Sequence, residues 1–220
     1  MRHEDQSLIE PLGLFGGTFD PVHYGHLRCA EQARQKLNLK NLSLLPVGIP
    51  PHRKTPQATI RQRLEMLKLA QLEFPLLDID ERETLRSGPS YMVDTLQELR
   101  AQTPHRPILL LMGQDTANQL HSWYHWEQLF VLSHIVILTR PGAKAEYRQD
   151  LAKLMQWRLS PDVPSLLHSE AGGVLHLDVS PTDASATTIK SIIRLGRSPS
   201  SMLPAAVLDY INENRLYVQV

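Results

Sequence analysis

Several features are scarce in this sequence, and each scarcity excludes a class of protein. The 220 residues include one cysteine, Cys29, so no disulfide can form within the chain, and a reducing compartment is favoured. Apolar residues never run for the roughly 20 positions needed to cross a bilayer. The first ten residues carry charge and lack the apolar core of a signal peptide. We therefore expect a cytoplasmic protein that makes no use of a membrane.

Net charge is also lacking. Lys plus Arg and Asp plus Glu number 23 each, which gives a formal net charge of zero. Without a global positive field, the chain is poorly suited to nucleic acid, and any phosphate binding must be local. Hydrophobic residues at 42% and charged residues at 21% are ordinary for a globular protein of one domain. A nucleotide ligand therefore fits better than a nucleic acid.

Short apolar runs alternate with amphipathic stretches along the chain. The clearest run, Pro107 to Met112, is typical of a strand buried on both faces of a parallel sheet, and His134 to Thr139 is similar. This alternation predicts an α/β fold, with a Rossmann-like, doubly wound, mainly parallel sheet and helices on both faces. Ligands of such sheets bind beyond the carboxyl ends of the strands. The pocket rim is expected at the segments that begin at Gly16, Gly113, Arg140 and Ser180.

Some helix boundaries also carry signals. Thr59 is a candidate N-cap for a helix that reaches Phe74, and Pro204 is expected at the first position of the last helix. Residues 141–173 form the least regular part of the chain and are expected to be an insertion or a loosely packed helical segment. The chain is interpreted as one domain over residues 1–220, with a C-terminal helical segment at about 187–216.

The segment from Gly16 to His26 carries the first chemical signal. Gly16 and Gly17 lack a Cβ atom, so their backbone can approach a phosphate closely. His23 and His26 are three residues apart, which places both rings on one side of a helix's first turn. Two imidazoles at a helix N-terminus suit the oxygens of a polyphosphate. The pair could also bind a metal ion, but no carboxylate or cysteine completes a ligand set at a familiar spacing, so no protein-held metal is predicted.

These residues resemble a known signature. The run from Gly17 to His26 is similar to the (H/T)xGH motif of the nucleotidyltransferase superfamily, and Ser185 to Lys190 is similar to an SxTxIR motif in which Lys190 replaces the usual Arg. Five further segments resemble bacterial nicotinate-nucleotide adenylyltransferases in the same order, and the resemblance extends from about Leu12 to Tyr217. The five segments are Pro50 to Arg53, Pro89 to Tyr91, Gly113 to Asp115, Trp123 to Trp126 and Arg140 to Gly142.

The resemblance implies transfer of the adenylyl group of ATP to nicotinate mononucleotide, which gives deamido-NAD and pyrophosphate in NAD biosynthesis. His23 and His26 would stabilise charge on the phosphates, and Mg²⁺ would accompany ATP. The residues implied for ATP and its phosphates are Gly16, Gly17, Thr18, Phe19, Gly113, Asp115, Ser185, Thr187, Ile189 and Lys190. The residues implied for nicotinate mononucleotide are His52, Thr95, Trp123, Tyr124 and Arg140.

Each of these residues also has a structural interpretation. Ser185, Thr187 and Asp115 could be helix caps, Trp123 could be core, and Arg140 could be a solvated charge. Arg194, one turn beyond Lys190, could replace the missing arginine. At the level of function, the alternatives are another adenylyltransferase, with a phosphopantetheine or nicotinamide mononucleotide acceptor, and a nucleotide sensor without catalysis. The identity of Lys190 is the one sequence feature that favours the sensor.

Overall fold

Strands and helices alternate along the chain, as the apolar runs predicted. The structure, a computed structural model, describes residues 10–51 and 55–218. Its strands are β1 (Leu12–Gly17), β2 (Leu42–Pro46), β3 (Leu77–Ile79), β4 (Ile108–Gly113), β5 (His134–Thr139) and β6 (Val174–Asp178). Its helices are α1 (Tyr24–Lys36), α2 (Ile60–Gln71), α3 (Arg82–Leu85), α4 (Met92–Gln102), α5 (Gln114–Asn118), α6 (Trp126–Leu132), α7 (Gln149–Trp157), α8 (Val163–Leu166), α9 (Ala186–Arg194) and α10 (Ala205–Glu213).

The six strands form one sheet in the order β3-β2-β1-β4-β5-β6, and every pairing between them is parallel. In β1, Gly13 lies opposite Leu42 of β2, and Leu12 lies opposite Ile108 of β4. The chain therefore adds strands on one side of β1 and then on the other. A crevice opens at such a switch point, beyond the carboxyl ends of β1 and β4. The predicted doubly wound fold is confirmed, and its described strands are all parallel rather than mainly so.

The central strands bury side chains on both faces, which explains their continuous apolar sequences. In β4, Leu109 and Leu111 belong to one hydrophobic cluster, and Leu110 and Met112 belong to the other. The first cluster is covered by α1, α2, α9 and α10, and the second by α4, α6 and α7. Since alternate residues of a strand point to opposite faces, a strand between two helical layers must be apolar at every position. Helices on both faces are thus confirmed.

The helix boundaries show which local signals were sufficient. Thr59 is the N-cap of α2, and it forms a capping box with Gln62, as the sequence predicted. Pro204 is the N-cap of α10 rather than its first residue, so that prediction was wrong by one position. Within 141–173, α7 packs through the fully buried Leu151, so this part is less loose than expected. Among the described residues, no helix is long and apolar enough to cross a membrane.

Candidate active site

A cavity of about 570 Å³ opens at the carboxyl ends of the central strands. This volume is in the usual range for a small-molecule site. Its walls come from the ends of β1, β4 and β5, the start of α1, the turn before α4, and the start of α9. The position is the one expected for a ligand in a doubly wound sheet.

His23 and His26, at the start of α1, line the cavity. His23 is the N-cap residue of α1, and its carbonyl accepts the backbone N–H of His26 at 2.9 Å. The two rings are stacked, with 3.8 Å between centroids, and Phe19 packs its ring edge against His26 at 5.0 Å. The three-residue spacing thus places both imidazoles side by side at the beginning of the helix, as predicted.

Both imidazoles are neutral in this setting. Burial lowers the pKa of His23 to about 4, with the positive charge of Arg140 as a second cause. Burial and then the neighbouring His23 and Arg140 lower the pKa of His26 well below its usual value. The Nδ1 atoms of both rings are buried and have no hydrogen-bond partner among the described residues. A neutral imidazole carries one N–H group, and an Nε2–H tautomer would donate to a phosphate oxygen.

The start of α9 faces the start of α1 across a very short distance. A Cβ atom at Gly25 would lie 2.6 Å from the carbonyl oxygen of Ala184 and 2.8 Å from the ring of His23. Real Cβ atoms do not approach so closely, so glycine is required for these two segments to meet. Ser185 is the N-cap of α9, because its Oγ accepts the backbone N–H of Thr188 at 3.1 Å. Ser185 also lines the cavity, so its capping and lining roles coexist.

Lys190 reaches the cavity from the next turn of α9, and its ammonium group donates to Asp20 Oδ2 at 2.5 Å. Burial alone would raise the pKa of Asp20. The hydrogen bonds from Lys190, Gln57, Tyr217 and Ala58 outweigh this effect and lower it. The carboxylate is therefore charged, and it joins the first motif to the second. Arg194 points elsewhere, since its guanidinium donates to Gln57 Oε1 at 3.4 Å.

Aromatic rings and an arginine line further parts of the cavity. Trp123 and Tyr124 line it together with Tyr91, whose ring centroid lies 4.6 Å from that of Tyr124. Trp123 also packs against the hydrophobic cluster under α4 and α6, so it is part of the core as well as the wall. Arg140, at the end of β5, is exposed and lines both this cavity and an adjoining one of about 280 Å³.

Most of the residues implied by the resemblance meet around the main cavity. These are Gly16, Gly17, Thr18, Phe19, His23, His26, Gly113, Trp123, Tyr124, Arg140, Ser185 and Lys190. Asp115 lines the adjoining cavity and does not cap α5, whose N-cap is Gly113. Thr187 is exposed on the outer side of α9 and lines neither cavity. His52 lies outside the described residues.

Two predicted contact residues lie behind the cavity wall. Thr95 is 0% exposed, and its hydroxyl donates to the buried Glu83 at 2.8 Å. Ile189 is also 0% exposed and packs into the hydrophobic cluster under α9. The structure therefore does not bring either side chain to the ligand space. Ile189 differs in this from its neighbour Lys190, because adjacent positions of a helix face different directions.

Sequence reasoning overlooked some residues that line the cavity. Glu83 is buried, which raises the pKa of its carboxyl, although the hydrogen bond from Thr95 partly offsets this. Glu83 carries no local signal, since it belongs to a four-residue helix. Asp20 lay inside the first motif and was assigned no role.

Comparisons with known proteins place the chain in a family. The cytidylyltransferase-like family model matches residues 14–192. A chain of Aeromonas salmonicida, named "Probable nicotinate-nucleotide adenylyltransferase", is 42% identical over 96% of this chain and 98% of its own. One of the same name from Halorhodospira halophila is 43% identical over 95% and 96%.

A solved structure supports the same assignment of the fold. The Plasmodium falciparum nicotinic acid mononucleotide adenylyltransferase complexed with NaAD superimposes with a TM-score of 0.72 at 14% identity, over 94% of this chain and 97% of its own. At that identity the likeness concerns the fold alone, whereas the curated relatives match over nearly the full length at above 40%. The chain therefore belongs to the cytidylyltransferase-like family, in the branch that contains the nicotinate-nucleotide adenylyltransferases.

Proposed function

We propose that this protein transfers the adenylyl group of ATP to the 5′-phosphate of nicotinate mononucleotide. The observation that carries the proposal is the stacked pair His23 and His26, which lines one cavity together with Ser185 and Lys190. A polyphosphate bound in this cavity would meet both imidazole N–H groups and a helix N-terminus. The names of the curated relatives support the same activity.

The reaction would be a direct displacement. A 5′-phosphate oxygen of nicotinate mononucleotide attacks the α-phosphorus of ATP, and the bond from that phosphorus to the bridging oxygen breaks. Pyrophosphate leaves with the electron pair, and deamido-NAD is formed. Such transfers need positioning and charge stabilisation more than covalent help. His23 and His26 would stabilise this charge as hydrogen-bond donors in their neutral form. Burial keeps both imidazoles neutral before the nucleotide arrives.

The acceptor would occupy the aromatic end of the cavity. An electron-poor pyridine ring can stack on the indole of Trp123, with Tyr124 and Tyr91 beside it. Arg140 would lie near the phosphates, between the main cavity and the adjoining one that Asp115 lines. Asp115 would then accept a hydrogen bond from a ribose hydroxyl group. His52 and the backbone of Gly16 to Phe19 complete the proposed binding set.

Mg²⁺ is proposed as the partner of ATP, since it neutralises charge on the leaving pyrophosphate. Among residues 10–51 and 55–218, no group of three His, Cys, Asp or Glu side chains could hold a metal ion. Both carboxylate oxygens of Asp20 already accept two hydrogen bonds each. A cation held by phosphates and water fits this donor set, because Mg²⁺ retains most of its waters. We further propose that the chain acts as one nucleotidyltransferase domain, in which α9 and α10 complete the phosphate site.

The test is an acceptor panel. Purified protein with ATP and Mg²⁺ is given nicotinate mononucleotide, nicotinamide mononucleotide or phosphopantetheine, and pyrophosphate release and the dinucleotide product are measured. We expect the highest kcat/KM with nicotinate mononucleotide. Faster turnover with phosphopantetheine would replace the proposed acceptor. ATP binding without turnover of any acceptor would favour a nucleotide sensor, a reading with which the Lys190–Asp20 ion pair is compatible.

A further inference from the structure

Asp20 is held by donors from three separate parts of the chain. Besides Lys190, its Oδ2 accepts the backbone N–H of Gln57 at 3.0 Å. Its Oδ1 accepts the backbone N–H of Ala58 at 3.1 Å and the hydroxyl of Tyr217 at 2.8 Å. The carboxylate is only 7% exposed, so these bonds act in a medium of low dielectric constant, where they are strong. Asp20 thus ties the loop after β1 to α9, to the approach to α2 and to the segment after α10.

Tyr217 is the most distant of these partners in sequence, 197 residues from Asp20. It is 6% exposed, and its ring lies under the ammonium group of Lys190, 4.9 Å from Nζ to the centroid. Its backbone φ is 65°, in the left-handed region that a tyrosine rarely occupies. Such a conformation persists where tertiary contacts fix it. The tertiary contacts of Tyr217 include Asp20, Lys190 and the hydrophobic cluster to which its ring belongs.

The loop that Asp20 belongs to is the loop that meets the nucleotide. Thr18 and Phe19 immediately precede it, and both line the cavity. Phe19 also has a left-handed φ, of 49°, and packs against His26. The buried guanidinium of Arg63 donates to the carbonyl oxygen of Thr18 at 2.9 Å, which holds the same loop from the side of α2. A loop held in an uncommon conformation needs such external bonds to keep it ready for a ligand.

We propose that Tyr217 is a positioning residue of the ATP site. Through its hydrogen bond to Asp20 it keeps the loop between β1 and α1 in the conformation that receives the polyphosphate. Tyr217 does not line the cavity, and its hydroxyl acts through Asp20. The segment after α10 is therefore a working part of a site whose first motif lies near the other end of the chain. This inference rests on the proposed function for the identity of the nucleotide.

The test separates this role from a purely structural one. Tyr217→Phe keeps the ring and removes the hydroxyl, and Tyr210→Phe, a half-buried tyrosine on α10 that packs on the same cluster, is the matched control. ATP affinity is measured by calorimetry with Mg²⁺ and without acceptor, and KM for nicotinate mononucleotide by initial rates. We expect Tyr217→Phe to weaken ATP binding about tenfold, since a hydrogen bond to a charged group is lost from a preorganised loop. The acceptor KM should stay within twofold, and Tyr210→Phe should change neither value.

A second variant tests whether Tyr217 acts through Asp20. Asp20→Asn keeps the shape of the side chain and removes its charge, and Tyr217→Phe in that background should add less than a twofold further loss of ATP affinity. Full additivity of the two effects would contradict the proposal. So would ATP affinity within twofold of wild type in Tyr217→Phe, even if the melting temperature falls. If Asp20→Asn does not fold, the comparison with Tyr210→Phe still decides the question.

The two proposals fail in different ways. Wild-type protein that binds ATP but makes no product with nicotinate mononucleotide would refute the proposed function and leave the measurement on Tyr217 intact. An unchanged ATP affinity in Tyr217→Phe, with normal turnover by the wild type, would refute only the positioning role. Wild-type protein that binds no ATP would overturn both.

Discussion

The segments after β1 and after β6 face the same cavity, but they are held in different ways. In the first, Phe19, Asp20 and His23 are all less than 10% exposed, and α2, α9 and the segment after α10 pack against or bond to them. In the second, Ser185 and Thr187 are exposed, and the segment is held by its own helix cap, by the ion pair of Lys190 with Asp20 and by the buried Ile189. The first segment is thus the buried side of the site, and the second, whose first residues are exposed, is the exposed side.

The largest expected effect lies on the buried side. His23→Ala and His26→Ala should each lower kcat on the order of a hundredfold or more, because each removes a preorganised donor to charge that develops in the transition state. KM for nicotinate mononucleotide should change far less. Steady-state rates with varied acceptor measure both quantities, and His176→Ala, an exposed residue in the middle of β6, is the control. A kcat close to wild type in both variants would remove the imidazoles from the mechanism.

The buried side should also make stability depend on pH. The pKa of His23 is about 4 in the folded protein and 6.5 in the unfolded chain, so between these values only the unfolded chain is protonated there. Stability from this group is complete above pH 6.5 and falls as the pH drops towards 4, by on the order of 3 kcal/mol. Urea unfolding at several pH values should show a steeper loss for wild type than for His23→Gln. Parallel curves would mean that His23 titrates normally.

The contact between the two sides can be broken at Gly25. In Gly25→Ala, the new methyl group would meet the Ala184 carbonyl and the His23 ring, so the start of α9 must move away. Such overpacking costs about 2 kcal/mol, and activity should fall with it. Gly113→Ala has no atom nearer than 4.0 Å and should leave the free energy of unfolding almost unchanged. Chemical denaturation of both variants checks this, and equal losses would show that the close approach is not decisive.

The exposed side should tolerate change better. Ser185→Ala removes the N-cap of α9 and should cost about 1 kcal/mol of stability. We expect kcat to fall only severalfold, because the backbone N–H groups of the helix remain. Thermal unfolding and initial rates test this, with Ser191→Ala in the middle of α9 as a comparison. A loss of kcat as large as that of the histidine variants would erase the difference between the two sides.

The smallest effect is expected for Lys190→Arg. An arginine can keep the ion pair with Asp20 and add the planar geometry that suits a phosphate, so activity should be retained or rise by about twofold. Initial rates at varied ATP concentration measure this change. A large loss would show that the site is organised around the lysine.

Sequence reasoning predicted the fold well because its signals are local and repeated. Continuous apolar strands such as β4 can lie only between two layers, and a cap such as Thr59 is determined within one turn. The site was predictable where a motif is contiguous, as in Gly16 to His26. The full burial of Thr95 and Ile189 could not be predicted, because a resemblance gives position along the chain but not which side of a helix faces the cavity. Glu83 and the Asp20–Tyr217 bond depend on tertiary contacts that no local pattern encodes.

The strand order carries a consequence for how the protein is made. β1 lies between β2 and β4, and its Leu12 pairs with Ile108. Asp20, just after β1, accepts a hydrogen bond from Tyr217. Pairings between residues so far apart in sequence are slow to form and leave apolar strands unprotected meanwhile. A chain emerging from the ribosome would therefore expose β1 until β4 is synthesised, and its nucleotide site would mature only when the segment after α10 has been released. We expect ATP binding to be acquired late in translation.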